Sequence, residues 1–373
     1  MSDTNLKYKI ALGLIPGVGD ISARKLVSYT GSVEAVFSEP YSTLVKIPGI
    51  GEAPARAVTG KSYMDQAEKE ALWVEAHKIR TYFYLDDDYP ARLKECEDSP
   101  VLLYYIGTSD LNQTKMLSVV GTRKATPRGR EICENIIFKL AEMFPDLVIV
   151  SGLAYGIDIA AHKAALEAGA QTIGVLAHGL KTIYPPMHTN TAKEMVKNGG
   201  LLTDFVSDAP AERNNFLKRN RIIAGLPQGL LIIESGVKGG AMVTAEMAMS
   251  YNRDVMAVPG RPSDNWSGGC NRLIKRNIAA LVENGNDVCE FLNWVPASEV
   301  RPVQTKLFEE LDEHETGLLK IISAEEALSV DQISSLTGFQ VSKLSSLLLS
   351  LEMKGAIKCY PGNIYRIPVA GSR

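Results

Sequence analysis

The chain of 373 residues, 45% hydrophobic and 22% charged, has the composition of a globular protein with room for two or three domains. No apolar run approaches the roughly 20 residues that span a bilayer, and "IALGLIPGVG" is broken by Pro16 and by glycines where a signal peptide would be continuous; a cytoplasmic protein without membrane contact is expected. A net charge of −3 gives no general attraction to nucleic acid, and five cysteines without a C-x-x-C pair, with five scattered histidines, point to neither a metal site nor a disulfide framework.

Residues 1–75 contain a short repeat, "LIPGVGDISARKLV" from Leu14 and "KIPGIGEAPARAV" from Lys46, each IPGxG element leading into a helix-like run. This pattern is similar to tandem helix-hairpin-helix units, which either offer backbone amides to DNA phosphates or serve as packing modules. A small all-α domain is expected here. Residues 76–100 look like a link, polar and bracketed by Pro90 and Pro100. From Val101 the rhythm changes: "VLLYYIG", "MLSVVG", "LVIVSG", "TIGVLA", "GLLTDF", "GLLIIES" and "DVMAVPG" are short apolar runs, most separated by stretches of helical period. Such runs alternating with helices predict a doubly wound, Rossmann-like parallel sheet covered on both faces, within a domain spanning 76–300. A linker at 298–304 leads to residues 305–373, where three helices and a hairpin resemble a winged helix. Its third helix offers Lys343 as the only cation between residues 340 and 353, which favours protein contact or support of a dimer over insertion into a DNA groove.

Ligands of doubly wound sheets bind beyond the carboxyl ends of the strands, and Gly121, Gly152, Gly179, Gly236 and Gly260 each follow a predicted strand. Three stretches without an acid fall in the same domain: Leu111–Arg130 with five cations, Arg213–Ile233 with Arg213, Lys218, Arg219 and Arg221, and Asn265–Val282 with Arg272, Lys275 and Arg276. At Gly121-Thr122-Arg123 the dinucleotide fingerprint fails, because an arginine stands where backbone must approach pyrophosphate, and no Lys-Ser or Lys-Thr completes a Walker loop. No cofactor is expected. "ESGVKGGAMVTAEMA" is a weak match to the PGGxGTxxE stretch of nucleotide N-glycoside hydrolases, with Glu246 at the carboxylate position, and this is the alternative reading. Asp158 and His162 share a helix face, where an acid bonded to a local partner is commoner than a catalytic pair. What remains is arginine plus backbone amides, which suits several phosphates of one polynucleotide.

"VVGTR", "SGLAYGIDIAAHKAAL", "IYPPMHTN", "RNRIIAGL", "TAEMA", "AVPG" and "GGCNRLI", in this order, resemble the DNA-processing protein A family. The resemblance implies a dimeric, non-enzymatic single-stranded DNA binding protein of natural transformation and recombination. Such a protein protects incoming strands, assists displacement of single-strand-binding protein and loads the RecA recombinase. By motif position it places Gly121, Thr122 and Arg123, the basic run Lys218, Arg219 and Arg221, and Phe216 as a stacking partner around the DNA. Gly152 and Gly156 would allow close approach, and Asn271 with Arg272 would close the far side. Two departures touch the site: His178 and Lys181 in "VLAHGLKTIYPPMH", and "FLKRN" without a proline after the phenylalanine. Arg219 or Arg221 could instead pair with Glu234 or Asp204 within the fold.

Overall fold

The two IPGxG elements fold alike. Gly17 and Gly49 adopt φ of 76° and 85°, a region that costs a side chain energy and glycine little. Val18 N–H donates to Ile15 O and Ile50 N–H to Ile47 O. Gly19 and Gly51 then stand extended before helices Asp20–Thr30 and Glu52–Gly60. Ile15, Ile47 and Ile50 are buried by the turns they begin or end. The first hairpin is turned inward, with Asp20 accepting from Val101 N at 2.8 Å, and helix Met64–Ala76 is tied down separately, its Glu70 accepting from Ser207 N and Oγ, both at 2.7 Å. The N-terminal helices share one apolar core with Phe83, Leu102 and Tyr104.

The structure, a computed structural model, describes residues 4–296, 312–324, 328–354, 356–360 and 362–367. The linker expected at 298–304 lies outside the described residues. The chain divides into two units, Met1–Ala297 and Ser298–Arg373.

The first unit is built on nine strands: β1 (Arg80–Phe83), β2 (Leu102–Gly107), β3 (Met116–Val120), β4 (Val148–Ser151), β5 (Gln171–Val175), β6 (Gly199–Thr203), β7 (Gly229–Ile232), β8 (Asp254–Ala257) and β9 (Ala280–Leu281). Their order is β1-β2-β6-β5-β4-β3-β7-β8-β9. From β6 to β9 all neighbours are parallel, as expected, whereas β2 pairs with β6 and β1 with β2 in antiparallel fashion. The sheet is therefore mixed at one edge. A fully apolar run signals a buried strand but carries no direction, and β1 is hard to see in the sequence because it is only four residues long and Asp86-Asp87-Asp88 begin three residues after Phe83. From β3 the chain lays down β4, β5 and β6 on one side and then returns to build β7, β8 and β9 on the other. The switch of direction opens a crevice beyond the carboxyl ends of β3 and β7.

In the second unit, helices Glu313–Ala324, Val330–Thr337 and Val341–Met353 pack with a sheet of β10 (Leu328–Ser329), β11 (Lys358–Tyr360) and β12 (Ile364–Arg366), ordered β10-β12-β11. This is a winged helix, with Leu318, Ile333, Leu344, Leu348 and Leu351 in its core. Glu315 sits beneath the third helix, accepting from Lys354 Nζ at 2.8 Å and Ser350 Oγ at 2.6 Å. Those bonds, Lys354 first, hold its carboxyl down at about 2. A folded value below the ordinary one stabilises above the ordinary value and is lost as pH falls through the folded one. Glu315→Gln should thus lower hydrogen-exchange protection of the second unit at pH 7 and have little effect at pH 2. Equal protection of parent and variant at pH 7 would show the bonds to be energetically idle.

Candidate nucleic-acid interface

The loop after β3 is fixed from below. Thr122 N–H donates to Glu234 O at 2.7 Å, joining the ends of β3 and β7. A Cβ on Gly121 would lie 2.5 Å from Ile157 Cγ1, and one on Gly156, whose φ is +81°, would lie 2.1 Å from Thr122 O. Helix Ile157–Glu167 can therefore approach the loop only because both positions are glycine. Thr126 caps the following helix by accepting from Gly129 N and donates to Glu234 Oε1. Held this way, Arg123 projects into solvent with its guanidinium carbon 5.1 Å from the Phe216 ring centroid, within the range of cation–π attraction.

Helix Arg213–Gly225 presents two different faces. Phe216, Arg219 and Asn220 line a cavity of about 620 Å³, together with Gly121, Thr122 and Arg123. Lys218 and Arg221 line a separate cavity between this helix and the first N-terminal hairpin. Arg221 is an internal bridge: Nη1 donates to Asp20 Oδ2 at 2.8 Å and Nη2 to Asp204 Oδ2 at 2.6 Å. Burial opposes its charge, but Asp204 and Asp20 outweigh that and hold the guanidinium above its ordinary range. Arg219 is 3% exposed and gives Nη1 to Gly152 O at 2.8 Å and to Val175 O. Burial lowers it to about 10 against the opposing pull of Asp158. Gly152 is glycine because a Cβ there would lie 2.3 Å from Arg219 Nη1. Arg219 thus forms part of the cavity wall while its charge is spent on carbonyls and on Asp158.

The remaining candidates separate in the same manner. Asn271 pins a turn, accepting from Gly260 N at 3.1 Å and donating to Gly260 O at 2.8 Å, and Arg272 is exposed on helix Gly268–Lys275; neither lines the cavity. Asp158 accepts from Gly152 N at 3.2 Å. His162 accepts from Leu153 N through Nε2, while Nδ1–H faces Thr172 Oγ1, whose own proton goes to Ile149 O. Burial depresses its ring to about 3. These are local structural partners, and Glu246 is exposed and outside the cavity.

Sequence reasoning missed Tyr184, Asn220, Lys238 and Trp266, all of which line the cavity. Tyr184 meets Phe216 edge to face with ring centroids 5.8 Å apart. The glycines before helix Gly240–Ser250 could have signalled Lys238; Tyr184 and Trp266 reach the site from distant loops. The walls combine two exposed guanidinium groups, Arg123 and Arg213, with aromatic faces and the amide end of a helix. Such a lining can hold phosphate and stack an unpaired base.

Residues 80–293 match the family described as DNA recombination-mediator protein A, and residues 304–363 match the DprA winged helix domain. Protein Smf of Synechocystis sp. is 29% identical, over 98% of this chain and 100% of its own length. The X-ray structure of DNA processing protein A from Streptococcus pneumoniae superposes with a TM-score of 0.67 at 34% identity, over 78% of this chain and 98% of that one. A structure of DNA processing protein A from Helicobacter pylori, which gives insight into that protein's single-stranded DNA binding mode, superposes with a TM-score of 0.52 at 28% identity, over 58% of this chain and 96% of that one.

Proposed function

We propose, since the chain belongs to the DNA recombination-mediator protein A family, that it binds single-stranded DNA in the cavity beyond β3 and β7. The observation that carries this reading is the Arg123–Phe216 pair at a cavity of about 620 Å³, large enough for one or two nucleotides and too small for a duplex. Arg123 would grip a phosphate, Phe216 with Tyr184 would take a base, and Gly121 and Thr122 would let the strand approach the backbone. Gly152, Gly156 and Arg219 would keep that surface in shape. Lys218 and Arg272, both exposed, are proposed to guide the strand outside the cavity, while Arg221 and Asn271 act through the fold.

Family membership extends the proposal to strand protection, displacement of single-strand-binding protein, loading of the RecA recombinase and action as a homodimer. Residues 1–75 would brace the DNA-binding helix, residues 76–300 bind the strand, and residues 305–373 contact protein. No bond is made or broken in this reading. The rival hydrolase needs a free carboxylate on the bound nucleotide; Glu246 is exposed outside the cavity, and Asp158, which is in its wall, accepts from Gly152 N and faces Arg219, which weighs against it.

The test is anisotropy of labelled oligothymidine over a salt series, with duplex and nucleoside monophosphate as competitors. Salt-dependent retention that duplex fails to compete is expected. Displacement by monophosphate with release of free base would overturn the reading in favour of the hydrolase.

A further inference from the structure

Asn220 is 9% exposed and lines the cavity, and its side-chain amide makes no hydrogen bond to another described residue. Its amide atoms are not sealed off like Arg219 Nε, so they open into the cavity and are available to a ligand there. Its Nδ2 lies 4.0 Å from where a Cβ on Gly240 would stand, so it is aimed at the start of helix Gly240–Ser250. In that eleven-residue helix Met242 N–H already donates to Gly239 O, which leaves the Gly240 and Ala241 N–H groups for a ligand, and the helix dipole favours an anion there. Gly239 and Gly240 leave the approach open: only Ser235 Oγ, at 3.6 Å, and Asn220 Nδ2 come within 4 Å of their missing Cβ positions. Lys238 adds a cation on the same wall. Beside it the Trp266 ring, half-buried and also in the cavity wall, lies 3.5 Å from the Cβ position of Gly236.

From these positions we infer a second nucleotide subsite, in which Asn220 and the amides opening helix Gly240–Ser250 hold a phosphate and Trp266 stacks its base. It rests on the single-strand reading above and deepens it: Arg123 and Phe216 serve one nucleotide, Asn220 and Trp266 its neighbour. The two anion sites follow adjacent strands, β3 and β7, and open into the same cavity. The acids nearby do not oppose this, since Asp158 faces Arg219 and Glu234 is occupied by Thr126.

The experiment compares the full-length parent with Asn220→Asp, Trp266→Leu and Arg123→Ala, using a twelve-residue oligothymidine and thymidine monophosphate as probes. Asn220→Asp, which sets a carboxylate against the phosphate at unchanged size, should weaken oligomer binding about tenfold or more. Trp266→Leu should weaken it about tenfold and abolish the indole quenching seen when the parent binds. Monophosphate at the same concentration should not quench. If both variants bind like the parent while Arg123→Ala is impaired, the second subsite is wrong and the DNA reading stands. Failure of the parent to bind the oligomer removes both, and equal quenching by monophosphate would make this a site for free nucleotides. Should Asn220→Asp fail to fold, the half-exposed Trp266 variant decides.

Discussion

Replacing Arg123 by alanine should weaken oligothymidine binding about 10- to 100-fold, because a charge-assisted contact contributes roughly 1.5–3 kcal/mol and each 1.4 kcal/mol is about tenfold. The loss should be equal for every base sequence, since a phosphate contact carries no sequence information. The slope of log affinity against log salt should become shallower by about 0.7, the contribution of one neutralised phosphate on a single strand. Arg123→Lys should keep the slope and recover only part of the affinity, as an ammonium lacks the planar fork. Lys124→Ala is the control, being exposed one residue beyond and outside the cavity wall. An unchanged affinity and slope for Arg123→Ala, measured by anisotropy over a salt series, would place the strand elsewhere.

The same side chain illustrates what could be read from the sequence. Arg123 was legible because it follows a strand and a glycine in a stretch without acids, and strand ends in a doubly wound sheet mark the ligand edge. Helix Arg213–Gly225 was legible as cationic but not as two-faced. Lys218, Arg219 and Arg221 look equivalent in sequence, yet a helix turns by 100° per residue, so neighbours in sequence belong to different surroundings. Their partners decide the outcome, and those partners are far away: Asp20 is 201 residues from Arg221, and Gly152 is 67 from Arg219. Trp266 and Tyr184 were missed for the same reason, since their loops meet only in the folded sheet. The repeat in the first 75 residues marked two turns that share a positive φ at Gly17 and Gly49, while the direction in which the first one faces is set by Asp20 and Val101, a contact no local pattern encodes.

That inward-facing hairpin makes Arg221→Met the variant expected to cost the most stability. Removing the guanidinium leaves the Asp204 side chain, 8% exposed, and Asp20, 23% exposed, without their shared cation. Breaking a buried pair from one side typically costs about 3–5 kcal/mol, because the remaining charge is stranded. Burial already pushes the Asp204 carboxyl up, with Arg221 opposing; without Arg221 it should rise further. A carboxyl raised in the folded state destabilises most above its folded value and less as pH falls and it takes up a proton. The deficit of the variant, followed by denaturant unfolding, should therefore shrink from pH 7 to pH 5. Pairing Arg221→Met with Asp204→Asn should restore part of it at pH 7. The salt slope of DNA binding should stay that of the parent, because Arg221 lines the cavity on the N-terminal side of the helix. A variant as stable as the parent but with a slope shallower by about 0.7 would instead make Arg221 a phosphate contact, and the Asp20–Arg221–Asp204 bridge would not be what anchors helix Arg213–Gly225 to the N-terminal hairpin.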